Sequence, residues 1–448
     1  MVNRNIEKGE KKKMILLNPV VLSVIVLAGL CLVKIPVFFS LIVAAIVAGV
    51  TSGIPIDETM KLLVGGMGAN SDTALSYILL GALAYCINKS GAAEVMARQI
   101  GKLIRGNKFI LAIIVMLFAV VAETFIPIHI AFIPILIPPL LGLMNKMKVD
   151  RRMLSISFGF GLKAPYITLP IAYGAIFHEL IITSFKKAGL AINGSMIIST
   201  NWIIALIMAI GVITGVIIFS RDREYKTVSG AVVGASEVEG DVKADKNHWL
   251  ILIAGVITVA VQILTKSLPL GALCGLIFIV VTGVIKFNDI QDMLDGGIHM
   301  MGFIAFVMLL AAGYANVITN SGAIDKIVES AAGVLGGSKL ISSYVMILLG
   351  LLVTLGIGTS FGTVPIISAI YVPLAMKLGF SPSATILLVT IAAVCGDAGS
   401  PASDTTLGPT AGLGVDKQHD HIRDTCIPQI IFIGLPLIVV GGFITQFL

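Results

Sequence analysis

Charge is the scarcest ingredient of this sequence. Only 12% of its 448 residues are charged, against about 25% in a typical soluble domain. Hydrophobic residues make up 57%, and the mean hydropathy is +1.01. A soluble protein of this length needs a charged shell, and 31 basic with 25 acidic residues cannot supply one. Residues 204–220 and 427–448 carry no charge at all. The pattern is that of a polytopic membrane protein and excludes a soluble enzyme, a secreted disulfide scaffold and a disordered chain. Cysteine is also sparse. Cys31, Cys86, Cys274, Cys395 and Cys426 lie in or beside apolar runs without CxxC spacing, and read as packing residues rather than metal ligands or disulfides.

The net charge of +6 does not point to nucleic acid, because its basic residues cluster at 4–13, 89–108 and 146–152, each against an apolar segment. The N-terminus begins like a signal peptide. A second apolar helix follows Lys34-Ile35-Pro36 without a small-residue cleavage site, so an uncleaved first membrane helix is expected.

The chain repeats itself. Ile87-Asn88-Lys89-Ser90-Gly91-Ala92 recurs as Ile318-Thr319-Asn320-Ser321-Gly322-Ala323, and Leu63-Val64-Gly65-Gly66 as Leu294-Asp295-Gly296-Gly297, both 231 residues on. Ile137-Pro138-Pro139-Leu140 matches Tyr371-Val372-Pro373-Leu374 at 234. The expected organisation is a basic tail at 1–17, a first transmembrane repeat at 18–220, a polar linker at 221–246 and a second transmembrane repeat at 247–448. Apolar segments fall at 18–34, 36–53, 73–90, 108–145, 153–175 and 196–220, then at 249–265, 268–286, 301–319, 339–377, 384–410 and 427–447.

The fourth segment of each half is nearly twice a membrane helix in length and is broken by polar, Gly or Pro residues at 123–127 and 356–363. It is either two crossings or one re-entrant hairpin. Each half then crosses an odd number of times, which turns the second upside down relative to the first. The expected fold is all-α: two inverted-topology repeats, each of about five membrane helices plus a re-entrant hairpin, with broken helices at the centre. Nine Lys/Arg flank the first hairpin against five in the N-terminal tail, which sets that hairpin's mouth in the cytoplasm.

Polar residues then appear where hydrocarbon is expected. After each hairpin comes an interrupted helix: Phe158-Gly159-Phe160-Gly161-Leu162-Lys163-Ala164-Pro165-Tyr166 in the first half, and Gly396-Asp397-Ala398-Gly399-Ser400-Pro401-Ala402-Ser403-Asp404-Thr405-Thr406 in the second. Free carbonyls, hydroxyls and carboxylates suit a dehydrated cation, and paired interrupted helices point to a transport site. Lys163 and Asp397 are 234 residues apart, the offset of the proline match. They read as an ion pair open to competition by a cation or proton, or else Lys163 snorkels to a surface. Asp404 and Glu123 are further acidic candidates, and His129 reads as a packing residue. His178-Glu179 lacks the second histidine of HExxH, and His419-Asp420-His421 sits in a charged stretch, so both read as solvated loops. Asn88, Asn316 and Asn320 read as helix-end caps.

Gly358-Thr359-Ser360-Phe361-Gly362-Thr363, followed by the Asp397–Thr406 stretch, resembles the paired signature of NhaC-type sodium/proton antiporters of the ion transporter superfamily. Ala122-Glu123-Thr124-Phe125-Ile126-Pro127-Ile128-His129 and Gly161-Leu162-Lys163-Ala164-Pro165-Tyr166 are similar to a bacterial subgroup that also includes histidine and other amino-acid permeases. The resemblance covers nearly the whole chain. It implies a scaffold domain and a transport domain whose hairpin tips and broken helices meet at a central site. Where the family often carries a bulkier polar pair after the aspartate, this chain has Ala398-Gly399, which leaves room for a cargo larger than a bare ion.

The expected function is secondary active transport, foremost sodium/proton antiport by alternating access, with a sodium- or proton-coupled amino-acid permease as the alternative. Asp397 and Asp404 would be the acidic Na⁺ ligands, with Ser400, Thr405, Thr359 and Ser360 adding oxygens. Glu123, Thr124 and Lys163 complete the candidate site. No catalytic residues and no cofactor are expected beyond Na⁺ and H⁺ as coupling ions. A membrane-embedded enzyme or a channel would need a constellation that the sequence offers only in fragments. The expected partners are the lipid bilayer and a small ion or small-molecule substrate, with no nucleic acid and a homodimer left open. The expected location is the inner membrane, multi-pass.

Overall fold

The computed structural model describes residues 17–33, 35–92, 104, 106–125, 129–171, 173–226, 245–265, 267–323, 326 and 338–448. Most of the basic tail, linker residues 227–244, Arg98, Lys102, Arg105 and residues 126–128 of the first hairpin tip lie outside them, as do the side chains of Asn88 and His129.

Helices make up the regular structure, with no strand among the described residues. The first half contains α1 (Pro19–Leu32), α2 (Val37–Thr51), α3 (Ile56–Met67), α4 (Ser71–Lys89), α5 (Lys108–Phe125), α6 (His129–Lys146), α7 (Arg151–Gly161), α8 (Ala164–Thr168), α9 (Tyr173–Lys187) and α10 (Gly194–Ile218). The second contains α11 (Lys246–Thr265), α12 (Leu268–Val281), α13 (Ile290–Asn320), α14 (Lys339–Ile357), α15 (Ser360–Lys377), α16 (Pro382–Asp397), α17 (Asp404–Leu413) and α18 (His421–Ile444). Among the described residues, six stretches are long and apolar enough to cross a membrane: α10, α11, Met301–Asn320 of α13, α14, α15 and α18. Their outer faces keep large apolar side chains exposed, such as Trp202, Leu206, Ile210 and Ile213 of α10. In water such a face would be costly; against lipid tails it is the expected surface.

Two helices were not foreseen in the apolar pattern. The amphipathic α3 carries Asp57, Glu58 and Lys61 and buries Thr59, Leu63 and Gly66 against α13 and α2. Helix α9 carries His178, Glu179, Lys186 and Lys187 within 15 residues, which dilutes its hydropathy. It packs on α8 and α15.

Both broken long segments fold as hairpins. The Lys108 ammonium donates to the Lys148 carbonyl at 3.0 Å and closes the base of α5–α6. Lys339 does the same to the Gly379 carbonyl at 2.5 Å for α14–α15. Lys148 and Gly379 both have positive φ, 52° and 76°, and so turn the chain out of the hairpin. Asp150 and Ser381 then cap α7 and α16 by accepting from Arg152 N and Ala384 N. Tyr371 donates to the Met346 carbonyl at 2.6 Å, which pins α15 against α14 in antiparallel register.

Helix α16 runs back beside α15 and ends at the level of the hairpin tip, where Gly358 turns the chain with a φ of 79°. Helix α17 continues for ten residues, about 15 Å. Contacts also cross between the halves. Asn18 Nδ2, at the start of α1, donates to the Ala323 carbonyl just past α13. His248 Nε2, at the start of α11, bonds the Ser90 carbonyl just past α4.

Candidate functional site

Three elements converge on one carboxylate. Asp397 ends α16 and is 1% exposed. The Ser360 backbone N–H, first in α15, donates to its Oδ2 at 2.9 Å, and the Ser360 hydroxyl donates to the same oxygen at 2.5 Å. Ser403, the N-cap of α17, donates its hydroxyl to Oδ1, and Thr405 adds a second donor to Oδ1 at 3.2 Å. The carboxylate therefore sits at the N-terminal ends of two helices, where backbone N–H groups and the macrodipole favour an anion. Just before it, Gly396 lets α16 lie close against α14. A Cβ there would lie 2.7 Å from the Leu351 carbonyl and from Thr354 Cβ.

The fifth donor comes from the other half of the chain. Lys163, between α7 and α8, places its ammonium 2.5 Å from Asp397 Oδ2 and is also buried. It does not snorkel. The ammonium also lies 5.3 Å from the centroid of the Tyr166 ring, and the Tyr166 hydroxyl donates to Ser360 Oγ at 3.1 Å. Lys163, Tyr166, Ser360 and Asp397 form one buried polar cluster walled by Phe177 and Phe361. Removing two charges from water is costly, and the geometry offsets that cost through contact and hydrogen bonding.

The remaining candidates fall in different places. Asp404 is half-buried and faces a cavity of about 530 Å³, which also meets Gly66, Asn70, Asn316, Thr359 and Ala402. Asp404 and Asp397 are linked through the hydroxyls of Ser403 and Thr405, which lie between them. Ser400 turns away, donating to the Leu355 carbonyl at 3.2 Å to brace the break against α14. Glu123 is buried near the tip of α5, close enough to act electrostatically on Tyr166. Thr124 donates back to the Val120 carbonyl of its own helix.

Several readings are corrected. Gly399 is not small to make space for cargo: a Cβ there would lie 2.2 Å from Ile430 Cγ1, and its φ of 142° disfavours any other residue. The small pair lets α18 pack against the break. Asn316 does not cap a helix end; it lies within α13 and donates to the Leu62 carbonyl of α3 at 2.8 Å. His178 is buried in α9 and bonds the Ile167 carbonyl, which Asn201 also holds. His419 is buried as well.

Sequence reasoning passed over Ser403, Tyr166 and the Arg151–Asp416 pair. Ser403 was legible as an N-cap before Asp404-Thr405-Thr406. Arg151, fully buried at the start of α7, makes a bidentate pair with Asp416 at 2.5 and 2.6 Å and donates to the Leu413 carbonyl that ends α17. Burial alone would raise the Asp416 pKa, but the Arg151 hydrogen bonds and charge outweigh it and hold the carboxyl below its ordinary value. Linker residues 221–226 strap this face: Lys108 pairs with Asp222, Lys148 with Glu224, and Arg223 with Asp424.

A polytopic helical protein with a buried lysine–aspartate pair between a hairpin tip and two broken helices is a secondary transporter. The sequence comparisons give the particular family. The Na+/H+ antiporter family is matched over residues 157–442, and a second profile of the same description over residues 18–104. The chain belongs to the Na+/H+ antiporter family. It is 39% identical to an "Uncharacterized membrane protein" of Haemophilus influenzae over 96% of this chain and 99% of that one. It is 40% identical to the "Putative amino acid transporter YuiF" of Bacillus subtilis, over 86% of this chain and 89% of that one. The crystal structure of the YdaH transporter of Alcanivorax borkumensis is similar at a TM-score of 0.41 and 14% identity, covering 88% of this chain and 89% of that one, too distant for its details to carry over. The chain is a multi-pass membrane transporter and not an enzyme.

Proposed function

We propose that this transporter exchanges Na⁺ for H⁺ by alternating access, with Na⁺ and the Lys163 ammonium competing for the Asp397 carboxylate. The observation that carries the reading is the donor set of Asp397. Its two oxygens already accept from Lys163, Ser360 N, Ser360 Oγ, Ser403 and Thr405. A cation entering here must displace the ammonium, while the Ser360, Ser403 and Thr405 hydroxyls turn their lone pairs toward it. The displaced lysine, left buried without a counter-charge, gives up its proton. One cation in and one proton out is antiport at a single carboxylate. Asp404, at the cavity wall, would receive the ion on its way, and Thr359 would add an oxygen there.

We further infer that the two halves are inverted repeats about the linker. The Asn18–Ala323 and His248–Ser90 contacts place the start of each half beside the end of the other half's third crossing. If α1, α2 and α4 each cross the bilayer, the starts of the two halves lie on opposite faces. The lysine-closed hairpin bases, 231 residues apart, support the same relation.

A second reading rests on the cavity. Its volume, about 530 Å³, exceeds what a bare ion needs and falls in the range that holds small organic ligands. An amino acid whose ammonium meets Asp404 is the cargo it suits. Reconstituted vesicles separate the two readings. On antiport, a sodium pulse alone moves protons across the membrane; dependence of every response on added amino acid would reject it.

A further inference from the structure

Three hydroxyls donate to Asp397, and each has a second acceptor already in place. Ser360 Oγ lies 2.5 Å from Asp397 Oδ2 and 3.2 Å from the Ala393 carbonyl, one turn earlier in α16. Thr405 Oγ1 lies 3.2 Å from Asp397 Oδ1 and 3.3 Å from Asp404 Oδ1. Ser403 Oγ bonds Asp397 Oδ1 closely and lies 3.4 Å from the same Asp404 oxygen. A hydroxyl has one hydrogen and so serves one of two acceptors at a time. All three side chains are at most 1% exposed, so a hydrogen turned away from Asp397 must find its acceptor within the protein. A buried hydroxyl without an acceptor is costly. Here each one has an alternative.

An ammonium and a metal cation ask opposite things of these groups. With Lys163 on Asp397, the hydroxyls donate to the carboxylate; with Na⁺ there, they must present lone pairs to the ion. Their hydrogens then fall to the Ala393 carbonyl and to Asp404 Oδ1. The neighbouring bonds tolerate the change. Tyr166 can keep donating to Ser360 Oγ, and the Thr405 N–H to Ser403 Oγ at 3.1 Å, each leaving a lone pair for the ion. Two of the three hydrogens land on one atom, Asp404 Oδ1, and that ties the two carboxylates together. A cation resting on Asp404 repels hydrogens aimed at it, whereas hydrogens that settle there replace part of the cation's charge. Asp404 lines the cavity and Asp397 is sealed, so an ion meets Asp404 first.

We propose that Ser403 and Thr405 are positioning residues that swing their hydroxyl hydrogens from Asp397 to Asp404 as Na⁺ passes the other way. The two carboxylates then hold one ion between them and never one each. Thr405, placed almost midway, is the more finely balanced of the two; Ser360 turns independently, toward Ala393. The switch needs rotation about side-chain bonds and no backbone movement. The inference rests on the antiport reading, whose ion it hands from the cavity to the buried pair.

The test uses the purified full-length protein in detergent, with two readouts on each variant: binding of radiolabelled Na⁺ by equilibrium dialysis, and the infrared difference spectrum that Na⁺ induces in the carboxylate region. The wild-type protein is expected to bind one Na⁺ per chain and to show a change at two carboxylates, one of them missing from the spectrum of Asp404→Asn. Thr405→Val keeps the shape and removes one hydroxyl. It is expected to weaken Na⁺ binding about tenfold and to shrink the Asp404 band, while Thr405→Ser restores both. Two Na⁺ bound per chain would overturn the switch, and so would unchanged affinity in Thr405→Val. Weaker binding in Thr405→Val with the Asp404 band intact would overturn it too, since a purely structural role or direct ligation by Asp404 gives that result. No Na⁺ binding by the wild-type protein would overturn the antiport reading itself, and the switch with it.

Discussion

Replacing Asp397 by asparagine keeps the shape of the side chain and removes its charge. The five donors around it divide unevenly. Ser403 and Thr405, which face Oδ1, are hydroxyls and can rotate to accept from an amide NH₂. Lys163 and the Ser360 N–H, which face Oδ2, cannot accept, so the amide oxygen must stay on their side. The cost then falls on Lys163, a buried ammonium left with neutral partners. Breaking one side of a buried pair costs about 3–5 kcal/mol, an upper limit here because the lysine can lose its proton instead. Adding Lys163→Met removes the second charge, and the double variant is expected to recover most of the stability lost by the single one. The assays are denaturant unfolding of purified protein in detergent and sodium-driven proton movement in vesicles. Asp397→Asn and the double variant are both expected to be inactive in transport, while only the first is strongly destabilised. Additive destabilisation by the two substitutions would refute the pairing. Full transport by Asp397→Asn would remove this residue from the mechanism.

Other consequences can be checked independently. Gly399→Ala must push the break and α18 apart, given the 2.2 Å approach to Ile430, and is expected to lower transport and thermal stability together. The Asp416 carboxyl is held below its ordinary value by Arg151, so its contribution is complete above the unfolded value and lost as pH falls through the folded one. Stability measured below about pH 4 should drop less in Asp416→Asn than in the wild type, because that variant has already lost the pair. Inversion of the repeats predicts that cysteines placed at Lys148 and at Lys377, on a background without the native cysteines, react with hydrophilic thiol reagents from opposite sides of the membrane. Labelling from one side would contradict it.

The membrane-spanning framework was legible because lipid leaves few choices: apolar runs of the right length become helices, and Gly- or Pro-rich polar breaks inside them survive only when buried in protein. The breaks at 123–127, at 356–363 and after Asp397 followed from that rule, whereas the rule left each long segment as two crossings or one hairpin. The facing of Lys163 and Asp397 was legible only because the repeat gave them one offset. What the pattern could not give were the helices whose surroundings decide them. Helix α9 is stabilised by packing on α8 and α15 rather than by its own hydropathy. The burial of His419 goes with the Arg151–Asp416 pair three residues before it, which joins positions 265 apart in sequence and which no local signal encodes. Likewise the small Ala398-Gly399 pair looked like open space in one dimension and is contact with Ile430 in three.

The central claim is that Na⁺ takes the place of the Lys163 ammonium on Asp397, and the most direct measurement is the number of protons released when Na⁺ binds to the purified protein in weakly buffered detergent solution. The account predicts about one proton released per Na⁺ bound, with apparent Na⁺ affinity falling about tenfold per unit drop in pH where the two compete, and loss of proton release in Lys163→Met. Sodium binding without proton release, or release that persists undiminished in Lys163→Met, would contradict it.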